Sequence, residues 1–130
     1  MRYNGTMSVR GLGIDVVEIR RVREALQRNQ RFAERLFTRG EIDYCESMAR
    51  REIHYAARFA AKEAFFKALG TGWRLGMGWH EVEVCHDSLG KPELILSGKT
   101  AAEFRSRKLC AAHLSIAHER NVAVAVVVVE

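Results

Sequence analysis

The first half of the chain carries hydrophobic residues in patterns typical of one strand followed by helices. Residues 9–17 are rich in glycine and β-branched side chains and predict a strand. The spacing of apolar positions then changes to that of a helix over about Glu18–Arg28. Thr38 and Glu41 have the spacing of a capping box, which predicts the start of a second helix that runs to about Ala49.

The clearest helical pattern lies in the middle of the chain, over about Glu52–Leu69. Six alanines in this stretch favour a helix, and their small side chains allow neighbouring elements to pack closely. Gly70 supplies a natural C-terminal stop. A further, shorter helix is predicted over Lys99–Lys108.

Two pairs of short apolar runs predict β-hairpins in the second half. Residues 81–85 and 93–97 flank a polar turn that contains glycine and proline. Residues 110–118 and 122–129 flank the polar residues 119–121. Because strands follow one another as hairpins and helices come before them, the pattern favours an α+β fold with a mainly antiparallel sheet over a doubly wound one.

Length and composition limit the class of protein. The 130 residues suit one domain, and a hydrophobic content of 48% excludes a disordered chain. The longest apolar run, Val122–Val129, is far shorter than the roughly 20 residues that span a bilayer. The three cysteines lack the spacing of a zinc site or of a disulfide framework. We therefore expect a soluble, cytoplasmic protein with no membrane partner.

The excess of positive charge favours an anionic partner. Lysine and arginine number 21 against 16 aspartate and glutamate, which gives a net charge of +5. Much of the excess lies at the first predicted helix and just beyond it, at Arg20, Arg21, Arg23, Arg28 and Arg31. Few aromatic residues are interleaved with these arginines, and no nucleic-acid-binding module is recognisable, so nucleic acid is a poor candidate.

One set of charged residues is suited to phosphate chemistry. Glu63 and Lys67 are four residues apart on the long helix and share a face, with Lys62 beside them. Asp15 stands near the end of the first strand. Two carboxylates and a lysine would form a workable Mg²⁺ and phosphate site. On spacing alone, however, Glu63 and Lys67 equally describe a solvated ion pair, and spacing does not show that Asp15 meets them.

Two other features have both functional and structural interpretations. Alternation along the strand 110–118 places His113 and Ser115 on one face, where they could bind one ligand, or His113 could be a structural hydrogen-bonding residue. The glycine-rich stretch 70–78 follows a helix, so it fits neither a P-loop nor a dinucleotide fingerprint. It is a flexible connection or a loop that approaches a phosphate.

Taken together, the motifs resemble those of the holo-acyl-carrier-protein synthases, the short, single-domain class of 4′-phosphopantetheinyl transferases. The matching stretches occur in the family's order and span nearly the whole chain, and residues 1–8 form an N-terminal extension. The combination of the Gly-Ile-Asp strand with the Ala-Ala-Lys-Glu-Ala helix is the most specific of them. The matches are at residues 11–20, 31–35, 58–72, 90–92 and 113–119.

The resemblance implies that the phosphopantetheine arm of coenzyme A is transferred to a serine of an apo acyl carrier protein, with release of adenosine 3′,5′-bisphosphate. By matching, Asp15 and Glu63 would hold Mg²⁺, and Lys67 would stabilise the charge that develops as the phosphorus–oxygen bond breaks. The other candidate phosphate contacts are Arg58, Lys62 and His113. The base that removes the serine proton remains open between Glu63 acting through water and Lys67.

The resemblance also implies a fold, an assembly and a docking surface. Members have the 4′-phosphopantetheinyl transferase-like fold, with a long central helix against an antiparallel sheet, and form homotrimers whose active sites lie between subunits. Arg21, Arg28 and Arg31 match the region that receives the acidic helix of the carrier. The alternative from another class is a catalytically silent carrier-protein-binding module, and which carrier is modified stays open.

Overall fold

A computed structural model describes residues 8–71 and 77–130 and confirms the α+β class. The expected N-terminal extension lies almost wholly outside the described residues, as does the middle of the glycine-rich stretch. Within the described part, no helix is both long enough and apolar enough to cross a bilayer. The elements, in chain order, are β1 (Gly11–Glu18), α1 (Ile19–Arg28), α2 (Phe32–Leu36), α3 (Arg39–Glu46), α4 (Arg51–Leu69), β2 (Val82–His86), β3 (Pro92–Leu96), α5 (Gly98–Ser106), β4 (Ala112–His118) and β5 (Val122–Val129).

The strands form two separate antiparallel sheets. The larger has the order β1-β5-β4, so the N-terminal strand pairs with the last strand of the chain. In this register Asp15 lies beside Ala125, and Ala125 lies beside Ile116. The smaller sheet is the β2–β3 hairpin. Both predicted hairpins are confirmed.

Helix α4 packs across the inner face of the larger sheet, and its alanines allow a close approach. Four of them, at positions 56, 60, 61 and 64, are completely buried. On β1, a Cβ atom at Gly11 or Gly13 would overlap the carbonyl oxygen of Ala68 or Ala64, respectively. Only glycine therefore lets β1 lie this near to α4, and the close contact brings the next inward residue of the strand, Asp15, beside the helix.

The ends of the helices follow the predicted capping chemistry. The Thr38 hydroxyl accepts a hydrogen bond from the Glu41 amide, and the Glu41 carboxylate accepts one from the Thr38 amide, so the capping box is confirmed. Helix α4 ends at Leu69, and Gly70 caps it in a left-handed conformation with φ of 77°. Helix α3 ends at Glu46, three residues earlier than expected. The five-residue helix α2 was not predicted, because so short an element shows no periodicity.

Candidate active site

A cavity of about 350 Å³ lies between β1, α1 and α4 and contains most of the predicted catalytic residues. We call it the cleft. Its polar wall consists of carboxylates and one arginine, and its other wall is apolar and aromatic. The lining residues include Asp15, Glu18, Arg21, Phe32, Phe59 and Glu63.

Asp15 and Lys67 form an ion pair at the edge of the cleft. The Lys67 ammonium donates to Asp15 Oδ1 at 2.9 Å and to the carbonyl oxygen of Ile14 at 3.0 Å. The Asp15 side chain is 15% exposed, whereas that of Lys67 is 52% exposed. The strand thus anchors the ammonium group by two hydrogen bonds, while much of the lysine side chain remains open to a ligand.

Glu63 lies one helical turn before Lys67 and shares the cleft with Asp15. Burial raises the pKa of Glu63, the negative charge of Asp15 raises it further, and Lys67 offsets this only in part. The two carboxylates therefore repel each other, and a cation between them would relieve the repulsion. No group of three potential metal ligands of the His, Cys, Asp or Glu type occurs in residues 8–71 and 77–130. Two carboxylates suit Mg²⁺, which completes its octahedron with water and phosphate oxygens.

The structure contradicts the expected phosphate contact by Lys62. Because α4 turns by about 100° per residue, Lys62 points to a different face from Glu63. Its side chain is fully buried, and its ammonium donates to Glu41 Oε1 at 2.7 Å and to the carbonyl oxygens of Trp79 and Val82, each at 2.8 Å. With three protons committed to protein acceptors, Lys62 has none left for a phosphate.

Arg58 also lies outside the cleft, one turn before Lys62 on the same face of α4. It is 3% exposed, and its guanidinium lies 4.2 Å from the centre of the Tyr44 ring. Its Nε is buried without a hydrogen-bond partner in the described structure. The guanidinium lines a separate cavity of about 310 Å³ together with Glu83 and His86. A phosphate contact by Arg58 stays a prediction, and within one chain it would not be a contact in the cleft.

His113 lies on the outer face of the larger sheet, away from α4. Burial alternates along β4, and His113 and Ser115 share the outer face, as predicted. The His113 ring nitrogen Nε2 pairs with Glu130 Oε1 at 2.7 Å. Asp15 points to the inner face of the same sheet, so a single chain does not bring His113 to the carboxylate pair.

The arginines at the first helix divide between two surfaces. Arg21 lines the cleft, and Arg28 lies two turns further along the same face of α1. Arg31, just beyond the helix, is exposed like both of them. Arg20 and Arg23 instead line a different hollow. Only Arg21 of the three predicted docking residues therefore reaches the candidate active site directly.

Comparison with known proteins shows the family to which the chain belongs. The family model described as the 4′-phosphopantetheinyl transferase superfamily matches residues 11–127. The chain belongs to this superfamily. A holo-[acyl-carrier-protein] synthase of Geobacter metallireducens is 52% identical over 121 residues, which cover 92% of this chain and 96% of that protein. Such relatives are phosphopantetheinyl transferases, and so is this chain.

Solved structures of the superfamily have the same fold. The holo-[acyl-carrier-protein] synthase of Neisseria meningitidis is 33% identical with a TM-score of 0.88, over 95% of this chain and 99% of that one. The Bacillus anthracis synthase, solved in complex with CoA (3′,5′-ADP), is 36% identical with a TM-score of 0.78, over 93% and 96%. The fold expected from the resemblance is thereby confirmed.

The aromatic wall of this phosphopantetheinyl transferase's cleft, formed by Phe32 and Phe59, was not predicted from the sequence. Phe59 lies one turn before Glu63, so Phe59, Glu63 and Lys67 follow one another at four-residue intervals along one stripe of α4. That spacing was a usable signal. Phe32, on the short helix α2, had none, because the helix itself was not predicted.

Proposed function

We propose that this chain transfers the 4′-phosphopantetheine moiety of coenzyme A to a serine of an apo acyl carrier protein and releases adenosine 3′,5′-bisphosphate. The observation that carries the proposal is the convergence of Asp15, Glu63 and Lys67 at one cleft. The names of the relatives support the acceptor, and the structures of the Bacillus anthracis and Helicobacter pylori synthases with coenzyme A support the donor. We place the enzyme in the cytoplasm, where both substrates are available.

Asp15 and Glu63 would hold Mg²⁺. The chemistry of the two carboxylates fits this ion, because both offer oxygen ligands and their mutual repulsion favours a cation. When bound, the ion would neutralise pyrophosphate charge and favour departure of the nucleotide.

Lys67 would position and stabilise the reacting phosphoryl group. Its anchor to Ile14 and Asp15 fixes the ammonium at the cleft edge, and the half-exposed side chain can donate to a phosphate oxygen. In the transfer, the serine oxygen bonds to phosphorus, the bond from phosphorus to the nucleotide's oxygen breaks, and the serine proton leaves. Of the two candidate bases, Lys67 and Glu63 acting through water, we favour Glu63, because the Lys67 ammonium donates its protons and has no lone pair to accept another.

The acidic helix of the carrier would dock on Arg21, Arg28 and Arg31. Arg21 lines the cleft and the other two are exposed beyond it, so a carrier bound along this surface could present its serine to the carboxylates. Guanidinium groups pair well with carboxylates, and surface charge of this kind speeds encounter.

We further propose a homotrimer with active sites between subunits. The outer face of the larger sheet exposes Leu12, Ile14 and Val16 at 64%, 55% and 59%. Adjacent apolar side chains of this kind usually mark an interface. His113 lies on the same outer face, so burying that face against another copy would bring His113 to a neighbour. His113 is therefore a candidate phosphate contact in the neighbouring subunit's site.

The proposal is tested by mass spectrometry. Purified protein is mixed with coenzyme A, Mg²⁺ and an apo acyl carrier protein, and the carrier should gain the mass of one phosphopantetheine. A parallel series with fatty-acid, polyketide and peptide-synthase carriers identifies the preferred acceptor. A chain that binds the carriers but modifies none of them would instead be the catalytically silent binding module.

A further inference from the structure

The buried ammonium of Lys62 connects α4 to residues 79–82, which precede and begin β2. It bonds Glu41 on α3, and the carbonyl oxygens of Trp79 and Val82, at 2.7–2.8 Å. Both side chains of the Lys62–Glu41 ion pair are 0% exposed. An ammonium has three donors, and here each of them meets an acceptor.

Glu41 is equally committed. Its Oε1 also accepts the Thr38 amide at 2.9 Å, and its Oε2 accepts the Val84 amide at 2.8 Å. The network therefore holds α3, α4, β2 and the turn before β2 at fixed relative positions. A fully satisfied buried network of this kind specifies one geometry, because losing any member leaves a buried charge or dipole without a partner.

Trp79 links this network to the cleft. Its ring stacks on Phe59 with a centroid separation of 5.5 Å and lies nearly perpendicular to the Phe66 ring with a centroid separation of 5.7 Å. Phe59 lines the cleft together with Glu63 and Arg21. The hydrogen bond from Lys62 to the Trp79 carbonyl oxygen therefore fixes the backbone of Trp79, whose ring packs against Phe59.

We propose that Lys62, paired with Glu41, is a positioning residue that sets the shape of the cleft through Trp79 and Phe59. This inference rests on the proposed function for the identity of the reaction. Lys62 touches no substrate. Phe59 lines the cleft with Arg21 of the docking surface, so the step that depends on Lys62 is engagement of the carrier. Asp15 and Lys67 are held instead by their own ion pair and by the Ile14 carbonyl oxygen, contacts that include neither Trp79 nor Phe59, so the metal side of the cleft keeps its arrangement.

The test measures the surroundings of Trp79 by its fluorescence. The chain has two tryptophans, so Trp73→Phe leaves Trp79 as the single emitter. In this background, Lys62→Met and the milder Glu41→Gln are studied where circular dichroism shows each to be folded. We expect a red-shifted emission, faster quenching by acrylamide, and a KM for the carrier raised about tenfold. The KM for coenzyme A, and Mn²⁺ binding by electron paramagnetic resonance, should change less than about twofold.

Two further variants separate positioning from lost stability. Phe104→Leu weakens the core at a ring stacked on Phe65, and it should leave both the Trp79 emission and the carrier KM unchanged. The double variant Lys62→Met with Glu41→Leu removes both buried charges, so it should regain stability over Lys62→Met while the carrier KM stays raised.

A carrier KM that simply follows stability would overturn the inference. Phe104→Leu would then raise it as much as Lys62→Met does, or the double variant would restore it. Failure of the wild-type chain to modify any carrier would contradict the proposed function instead. In that case the Trp79 emission and quenching decide the inference, and unchanged values in Lys62→Met would reject it.

Discussion

At the scale of single residues, the roles of neighbouring lysines on α4 are decided by the direction in which each side chain leaves the helix. Lys67 reaches Asp15 at the cleft, whereas Lys62 is enclosed by Glu41 and two carbonyl groups. Sequence spacing groups Lys62 with Glu63, but a step of one residue turns the side chain by about 100°. The charge of a residue therefore indicates its function here only once its face is known.

The two cleft carboxylates should be needed for metal binding rather than for folding. In Asp15→Asn and Glu63→Gln, we expect Mn²⁺ binding measured by electron paramagnetic resonance to be lost and turnover to fall about 100-fold or more. Melting temperatures should stay close to that of the wild type, because relief of the repulsion between the carboxylates offsets, in Asp15→Asn, the loss of the partly exposed ion pair with Lys67. The control is Asp43→Asn, an exposed carboxylate on α3. Full turnover in either cleft variant, or in EDTA, would remove these residues from a metal site.

Glu81 should make stability depend on pH in the acid range. Its carboxylate accepts the Thr100 amide at 3.0 Å, the Thr100 hydroxyl at 2.8 Å and the Lys99 amide at 3.1 Å, at the start of α5. Burial raises the pKa of Glu81, but the hydrogen bonds from Thr100 and the neighbouring amides outweigh it and lower the pKa. A carboxyl with a lowered folded-state pKa stabilises the fold above its unfolded pKa, and this contribution disappears as the pH falls through the folded pKa.

The expected result is a stability gap that closes in acid. Glu81→Gln should melt below the wild type at neutral pH, and the difference should shrink as the pH is lowered to about 3. Thermal melts followed by circular dichroism across this range measure it. Glu93→Gln, an exposed glutamate on β3, is the control. A gap that stays constant with pH would show that the ionised form of Glu81 contributes nothing.

At the scale of secondary-structure elements, the close packing of β1 against α4 depends on two glycines, Gly11 and Gly13. A Cβ at Gly13 would overlap the Ala64 carbonyl oxygen, so Gly13→Ala must push the strand and helix apart. We expect a loss of roughly 1–3 kcal/mol in the free energy of unfolding in urea, together with weaker Mn²⁺ binding. Gly78→Ala is the matched control, because its Cβ meets no atom within 4 Å. Equal stability of the two variants would contradict close packing at Gly13.

One face of α1, together with Arg31 just beyond the helix, should recognise the carrier. Arg28→Glu with Arg31→Glu should raise the KM for the carrier and leave that for coenzyme A nearly unchanged, and added salt should act in the same direction. Arg20→Glu with Arg23→Glu makes the same charge change on a different surface of this helix. If both double variants have the same effect, net charge and not docking explains the arginines.

Local elements could be predicted from sequence, whereas their assembly could not. The capping box at Thr38 and the C-terminal hairpin depend on residues close together in the chain. The pairing of β1 with β5 joins the two ends of the chain, and no local pattern specifies it. Local motifs were enough to identify Asp15, Glu63 and Lys67 as site candidates. The burial of Lys62 depends instead on partners far from it in the chain, so its environment was predicted wrongly.

At the scale of the whole molecule, one chain does not unite all of the predicted site residues. Asp15 and Glu63 line the cleft on the inner side of the larger sheet, and His113 lies on its outer face. That face exposes Leu12, Ile14 and Val16, which a second copy would cover. Assembly is therefore the physical step that could bring the two sets together.

A trimer with shared sites predicts complementation between two inactive chains. Light scattering should give a mass of about three times 14.8 kDa, and Ile14→Glu on the exposed face should yield monomers of low activity. Asp15→Asn and His113→Ala should each be nearly inactive alone. After co-refolding, some sites combine Asp15 from the His113→Ala chain with His113 from the Asp15→Asn chain, so activity should reappear. Co-refolding Asp15→Asn with Glu63→Gln is the control, because both changes lie in the same cleft and no mixed site is intact. Equal activity in the two mixtures, or an active monomer, would contradict shared sites.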